Sequence, residues 1–168
     1  MKFLSDSSLG RLSKWLRILG YDTIYHRGAA DRSFLRRAEK EVRVVLTRRK
    51  DVLKKNHSGP IVFVESDRME DQIVEVLAKL GLEPTPEKFF TICLECNAPL
   101  KKVEKGEVRP EIPDYVYESQ QDFRRCPGCG RIYWSGTHRE RVMKTLEKLL
   151  KSRIPGDPQA ASLKPQGE

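Results

Sequence analysis

Apolar residues in the first half of the chain fall in short blocks separated by stretches with helical spacing. Lys2–Leu4, Thr23–Tyr25, Val42–Leu46 and Pro60–Val64 read as strands, each bounded by polar or turn-forming residues. Between the first two, Leu9, Leu12, Leu16 and Leu19 fall within about 80° of one another at 100° per residue, with Arg11, Lys14 and Arg17 on the opposite side. This predicts a helix with a core-facing stripe and a basic back. A second helix is expected from Ser33, and a third where Met69, Ile73, Val76, Leu77 and Leu80 repeat the pattern. Gly81 suits the residue that ends this helix, because glycine takes positive φ without a Cβ clash. Strands alternating with helices predict an α/β domain: right-handed crossovers lay a mostly parallel sheet between helical layers. Ligands of such sheets collect at the carboxyl ends of the strands.

Glu83-Pro84-Thr85-Pro86 breaks the periodicity, which sets the expected domain boundary near residue 90. The organisation expected is an α/β domain over 1–90, a cysteine module with a C-terminal helix over 91–150, and a tail over 151–168. The tail has little that is apolar to bury and is expected to be disordered.

All four cysteines sit in two C-x-x-C pairs, Cys93/Cys96 and Cys126/Cys129, separated by the 29 residues from Asn97 to Arg125. Two such turns can aim four thiolates at one centre and complete a closed tetrahedral Zn²⁺ site, which would be structural. Asn97 and Gly130, which follow the pairs, are residue types that tolerate the left-handed conformation needed to finish each turn. Two disulfides, a redox pair and an iron site are the alternatives, and the first two sit poorly with a reducing compartment. Within the module, Val108, Ile112, Tyr115, Val116 and Tyr117 suit short strands, and Ile132-Tyr133-Trp134 another. Tyr133 and Trp134 can either stack on bases or pack against the knuckle, and His138 is either structural or turned to an interdomain cleft.

The chain has 168 residues with a formal charge of +8 and a mean hydropathy of −0.59. That length excludes a large multidomain enzyme. The longest apolar runs, such as Ile61–Val64, are far short of the roughly 20 residues of a spanning helix. Asp6, Arg11, Lys14 and Arg17 stand where a secretory signal would be apolar, so a cytoplasmic location without membrane attachment is expected. Charge is concentrated: residues 36–55 hold nine Lys and Arg against three acids. Such a run is either a solvated face or an attractor of polyanions.

Three acids have positions that suit chemistry. Asp6 follows the first strand, Asp31 precedes the second helix, and Asp51 follows the basic turn after the third strand. Converging at one edge they would suit Mg²⁺ or Mn²⁺, which take carboxylate, water and phosphate oxygens. Equally, Asp6 and Asp31 can be helix N-caps and nothing more.

Phe3-Leu4-Ser5-Asp6, Leu9-Gly10-Arg11-Leu12 through Trp15-Leu16-Arg17 to Gly20-Tyr21-Asp22, and Leu46-Thr47-Arg48 resemble the PIN-like domain of the Mut-seven C-terminal RNase family. Cys93-Leu94-Glu95-Cys96-Asn97, Ile112-Pro113, Cys126-Pro127-Gly128-Cys129-Gly130 and Tyr133 through His138 resemble the zinc ribbon appended to it. The resemblance implies a PIN-like three-layer α/β/α fold followed by a small four-cysteine zinc ribbon, and a metal-dependent ribonuclease with acids at the carboxyl edge of the sheet. Asp6 and Asp31 match family acids. The third does not, because Arg49 stands where the family pattern continues with Asp, and Asp51 is the nearest acid. The expected catalytic set is therefore Asp6, Asp31 and Asp51. The expected RNA grip is Arg11, Arg17, Arg36, Arg37, Arg48, Arg49 and Lys50, with Tyr133, Trp134 and His138 from the ribbon. Either Asp51 completes the site and Arg49 holds a phosphate, or the protein binds RNA or a ribonucleoprotein without cutting. A DNA-binding or protein-interaction adaptor built on the ribbon is a further alternative.

Overall fold

The computed structural model of the chain describes residues 1–151, apart from the side chains of Thr137, His138 and Leu150. The expected disordered tail lies outside the described residues from 152 on. By its contacts the chain divides into a unit from Met1 to Trp134 and a second from Ser135 onward.

The first half alternates β1 (Lys2–Ser5), α1 (Gly10–Ile18), β2 (Asp22–Tyr25), α2 (Arg32–Lys40), β3 (Val44–Thr47), α3 (Lys50–Leu53), β4 (Ile61–Phe63) and α4 (Met69–Lys79). The four strands form one parallel sheet in the order β2-β1-β3-β4. Register aligns Ile24, Leu4, Val45 and Ile61 in a row across it. That row packs against Phe34, Leu35 and Ala38 of α2 and against Val52 of α3. Their sequence neighbours Phe3 and Leu46 point to the other face and are equally buried, so both faces are covered. α1 and α4 pack on one another, and Leu12 and Leu16 of α1 are inaccessible, as the leucine stripe requires. The end of α4 also follows the expectation: Gly81 has φ +58°, and the Leu82 amide turns back to the Leu77 carbonyl at 2.8 Å.

Residues beyond 90 in the first unit form β5 (Lys101–Val103), α5 (Lys105–Val108), α6 (Asp114–Ser119), β6 (Phe123–Arg125) and β7 (Ile132–Trp134). The strands make an antiparallel sheet in the order β5-β6-β7. The strand expectation holds for 132–134 and fails for 108–117, where the chain is helical. Val108 at the end of α5, Ile112 in the extended link after it and Val116 of α6 close over Phe123 of β6 as a small core. Glu104 and Glu107 complete a capping box at the start of α5, a local signal for helix that outweighs the β-branched residues after it. Tyr117 packs on this core while Lys105 and Arg109 lie over its ring. In the second unit, α7 (Thr137–Lys151) is a long helix in which Val142 and Leu146 are buried.

Candidate functional site

Strand order places the topological switch point of the sheet between β1 and β3, because the chain leaves β1 toward β2 and then crosses back to β3. Crevices of ligand-binding α/β sheets open at that point, outside the carboxyl ends of the strands. Asp6 directly follows β1 there, and Thr47 ends β3 beside it. The Thr47 hydroxyl donates to Asp6 Oδ2, while the Ser8 amide donates to Oδ1 at 2.8 Å, joined by the Ser8 hydroxyl. Asp6 is completely inaccessible, and every hydrogen-bond donor on it is neutral. A carboxylate buried without a cation is costly unless hydrogen-bonded, so the hydroxyl and amide donors are what hold it there.

Asp31 caps α2. Its Oδ1 accepts from the Ser33 amide at 2.8 Å, the Phe34 amide at 3.1 Å and the Ser33 hydroxyl at 2.7 Å. These bonds, the Ser33 hydroxyl foremost, hold its carboxyl below the usual range. Asp51 is exposed and engaged by cations: Arg49 grips it with Nε on Oδ1 at 3.0 Å and Nη2 on Oδ2 at 3.1 Å. Lys55 adds a third donor at 3.2 Å on Oδ2, and the same ammonium reaches the Ala30 carbonyl at 2.7 Å. The Arg49 contact, followed by that of Lys55, lowers the Asp51 pKa to about 2. The Asp51 contact in turn raises that of Arg49, to which the charge of Asp6 also contributes. Arg49 therefore pairs with Asp51 and also feels the charge of Asp6.

Among the described residues, the four cysteines are the one group of three or more acid, thiol or imidazole ligands gathered closely enough to hold a metal ion. Asp6, Asp31 and Asp51 as placed do not form such a group. Asp6 and Asp31 hold the capping positions, and Asp51 faces a guanidinium and an ammonium. A divalent ion does not fit this donor set, since Arg49 remains charged at every working pH.

The expected cationic grip is dispersed. Arg48 pairs with Asp67 beyond β4, Arg37 with Glu41, and Arg11, Arg36 and Lys50 are exposed. Arg17 is turned inward at 6% exposure, its guanidinium on three carbonyls: Thr23 at 2.8 Å, Leu94 at 2.5 Å and Glu95 at 3.2 Å. It ties α1 to the first cysteine turn. Asn97 completes the tie. Its Oδ1 accepts from the Thr23 amide at 2.8 Å and its Nδ2 donates to Asp22, which Arg43 holds bidentately at 2.7 and 3.2 Å. Burial opposes ionisation of Asp22, but the bonds from Arg43 and Asn97 prevail and keep its carboxyl below the usual range.

All four sulfurs lie within 4.8 Å of one another, Cys93 to Cys129 at 3.6 Å and Cys96 to Cys126 at 3.2 Å. These distances bracket the roughly 3.8 Å edge of a tetrahedron with Zn–S bonds of about 2.3 Å and exceed the roughly 2.05 Å of a disulfide. The four-cysteine cluster fits a metal ion such as zinc. Asn97 and Gly130 close the two turns at φ +65° and +74°, each amide returning to the carbonyl of the first cysteine of its pair. The Tyr133 hydroxyl and Cys93 Sγ are hydrogen-bonded at 3.1 Å, so this ring supports the knuckle, whereas Trp134 is 38% exposed. Burial disfavours the Cys93 thiolate, yet Tyr133 and the Cys96 and Glu95 amides outweigh it and bring its pKa down to about 6. Partial desolvation and the neighbouring cysteine sulfurs push Cys96 up to about 12. The side chain of His138 lies outside the described residues.

Thr47, Lys55, Asp22 and Asn97 are the functional contributors that sequence reasoning did not single out for these roles. Thr47 is the polar residue ending an apolar strand, and Lys55 follows Asp51 at i+4; both are legible signals. The Asp22–Asn97 contact, 75 residues apart, has no local signature.

The family model of the Mut7-C RNAse domain matches residues 1–146 of the chain. No curated protein matches it. No described helix is long and apolar enough to cross a membrane.

Proposed function

Because the chain belongs to the Mut7-C RNAse domain family, we propose that it acts on RNA, and that the RNA backbone is engaged at the carboxyl edge of its parallel sheet, around the β1/β3 switch point. The observation that carries this is the placement of Asp6. A buried carboxylate held by neutral donors, at the sheet edge where such folds gather ligands, lies within the electrostatic reach of Arg49. Arg48, Arg49 and Lys50, which follow β3 without interruption, supply cations for backbone phosphates at the same edge.

The finer reading is hydrolysis of RNA phosphodiesters dependent on Mg²⁺ or Mn²⁺. The acids as placed do not fit such an ion. The Arg49–Asp51 pair favours a second reading, an RNA-binding member of a ribonuclease family that does not cut. Zinc, by contrast, fits the ribbon: Cys93, Cys96, Cys126 and Cys129 would hold it, and its role would be to close a module with a small core.

One experiment separates the readings. Labelled single-stranded and hairpin RNAs are incubated with the full chain in Mn²⁺, Mg²⁺ or EDTA, alongside Asp6→Asn. The ribonuclease reading expects ion-dependent cleavage by the wild type, reduced at least about 100-fold by Asp6→Asn with RNA binding retained. Binding without cleavage under every ion condition establishes the second reading, and absence of RNA binding overturns both.

A further inference from the structure

We infer that Arg49 and Lys55 form a phosphate clamp that serves an RNA phosphodiester in place of a divalent ion, and that Asp51 occupies the phosphate position in the free protein. This rests on the RNA reading above and adds how the backbone is held. Three observations support it. First, Arg49 presents two parallel N–H donors to Asp51, at 3.0 and 3.1 Å, and a guanidinium fork receives phosphate oxygens in the same bidentate way. Second, Lys55 delivers a third donor to the same carboxylate while anchored on the Ala30 carbonyl, so the two cations converge on one small anion. Third, Arg49 and Lys55 both make their ion pairs with this one carboxylate, so a phosphate that displaces it meets both cations together.

Asp51 is easily displaced. Its side chain is about half exposed, it sits on the short helix α3, and exposed ion pairs of this kind contribute little. A rotamer change that turns it to solvent vacates the fork. Lys50 stands beside the clamp, and Arg48 is on the same strand end. A divalent ion would meet a permanent positive charge here, whereas a phosphate meets preformed donors. The clamp therefore requires no added metal.

The test is the affinity of the full, zinc-loaded chain for a labelled single-stranded RNA, measured by fluorescence anisotropy in EDTA at two salt concentrations. EDTA exposure is kept brief, and zinc content is checked after each titration. The wild type is expected to bind equally well in EDTA and in Mg²⁺. Asp51→Asn, which removes the competing carboxylate charge, is expected to tighten binding about 2–5-fold. Arg49→Asp should weaken it roughly tenfold or more and lower the slope of log affinity against log salt by about 1. Arg49→Lys keeps charge without the fork and should fall between the wild type and Arg49→Asp. Both positions are at the surface, and thermal melts confirm that each variant folds. RNA binding that Asp51→Asn fails to tighten, or that Arg49→Asp leaves unchanged, overturns the clamp while leaving the RNA reading standing. A wild type that binds no RNA overturns both.

Discussion

Cys126→Ser is expected to strip the ribbon of its metal and unfold it. Cys126 is buried, its sulfur lies 3.2 Å from Cys96, and its amide and carbonyl hold the second turn through Arg131 and Gly130. The ribbon's own core is only Val108, Ile112, Val116 and Phe123 with three half-buried neighbours. A core of that size does not hold three short strands and two short helices by itself. Structural zinc contributes apparent binding energies of about 10–16 kcal/mol, comparable to the whole stability of an ordinary domain. With one ligand gone, the remaining three cysteines cannot close the tetrahedron. Elemental analysis of the wild type should give about one zinc per chain, and of Cys126→Ser much less. Limited proteolysis should then cut the variant between residues 98 and 125 while the sheet of the first half resists. A variant that keeps its ribbon protected from protease without metal would show that the apolar cluster suffices.

Arg17→Ala should give the next largest effect, loss of the tie between α1 and the first cysteine turn. Three carbonyls, of Thr23, Leu94 and Glu95, lose a charged donor in a place water reaches poorly. Hydrogen bonds to charged groups contribute more than neutral ones, and stranded buried acceptors add their own cost. An overall loss of about 3 kcal/mol is expected, or a Tm lower by roughly 6–12 °C for a unit of this size. Arg17→Lys restores charge but reaches fewer of the three acceptors, and should recover only part. Zinc content of Arg17→Ala should stay near the wild-type value, because no ligand is touched. A melt within about 1 °C of the wild type would show that the carbonyls find other partners.

What the sequence made legible follows from how local each signal is. The leucine stripe of α1, the end of α4 at Gly81 and the left-handed turns at Asn97 and Gly130 depend on residues within a few positions of one another, and the structure has them where expected. The four-cysteine cluster is equally local in each half and joins through spacing alone. Residues 108–117 show the opposite case. Their β-branched and aromatic composition suggests strands, but a capping box starts a short helix before them and Pro113 leads into another, with extended backbone between. At the sheet edge, Asp6 follows β1 and Asp31 precedes α2 as their sequence neighbours suggest, while Asp51 lies inside the short helix α3 where a turn was expected. The sequence does not reveal that a guanidinium two residues away folds back onto Asp51, since that choice is made by side-chain rotamers. Arg17 illustrates the same limit. A basic residue on the back of an amphipathic helix reads as solvent-facing, and only the later arrival of Leu94 and Glu95 converts that back into an interior.

The tie at Thr23 has one more implication. β2 is an outer strand of the parallel sheet, and both the amide and the carbonyl of Thr23 on its open side are taken, by Asn97 and Arg17. At the opposite border Lys79 covers the Phe63 carbonyl of β4. A sheet whose borders are left bare is a template for a neighbouring chain to add a strand. The first cysteine turn thus covers this border, and a fragment cut off before it is expected to expose the Thr23 amide for intermolecular pairing and to aggregate, as light scattering would show.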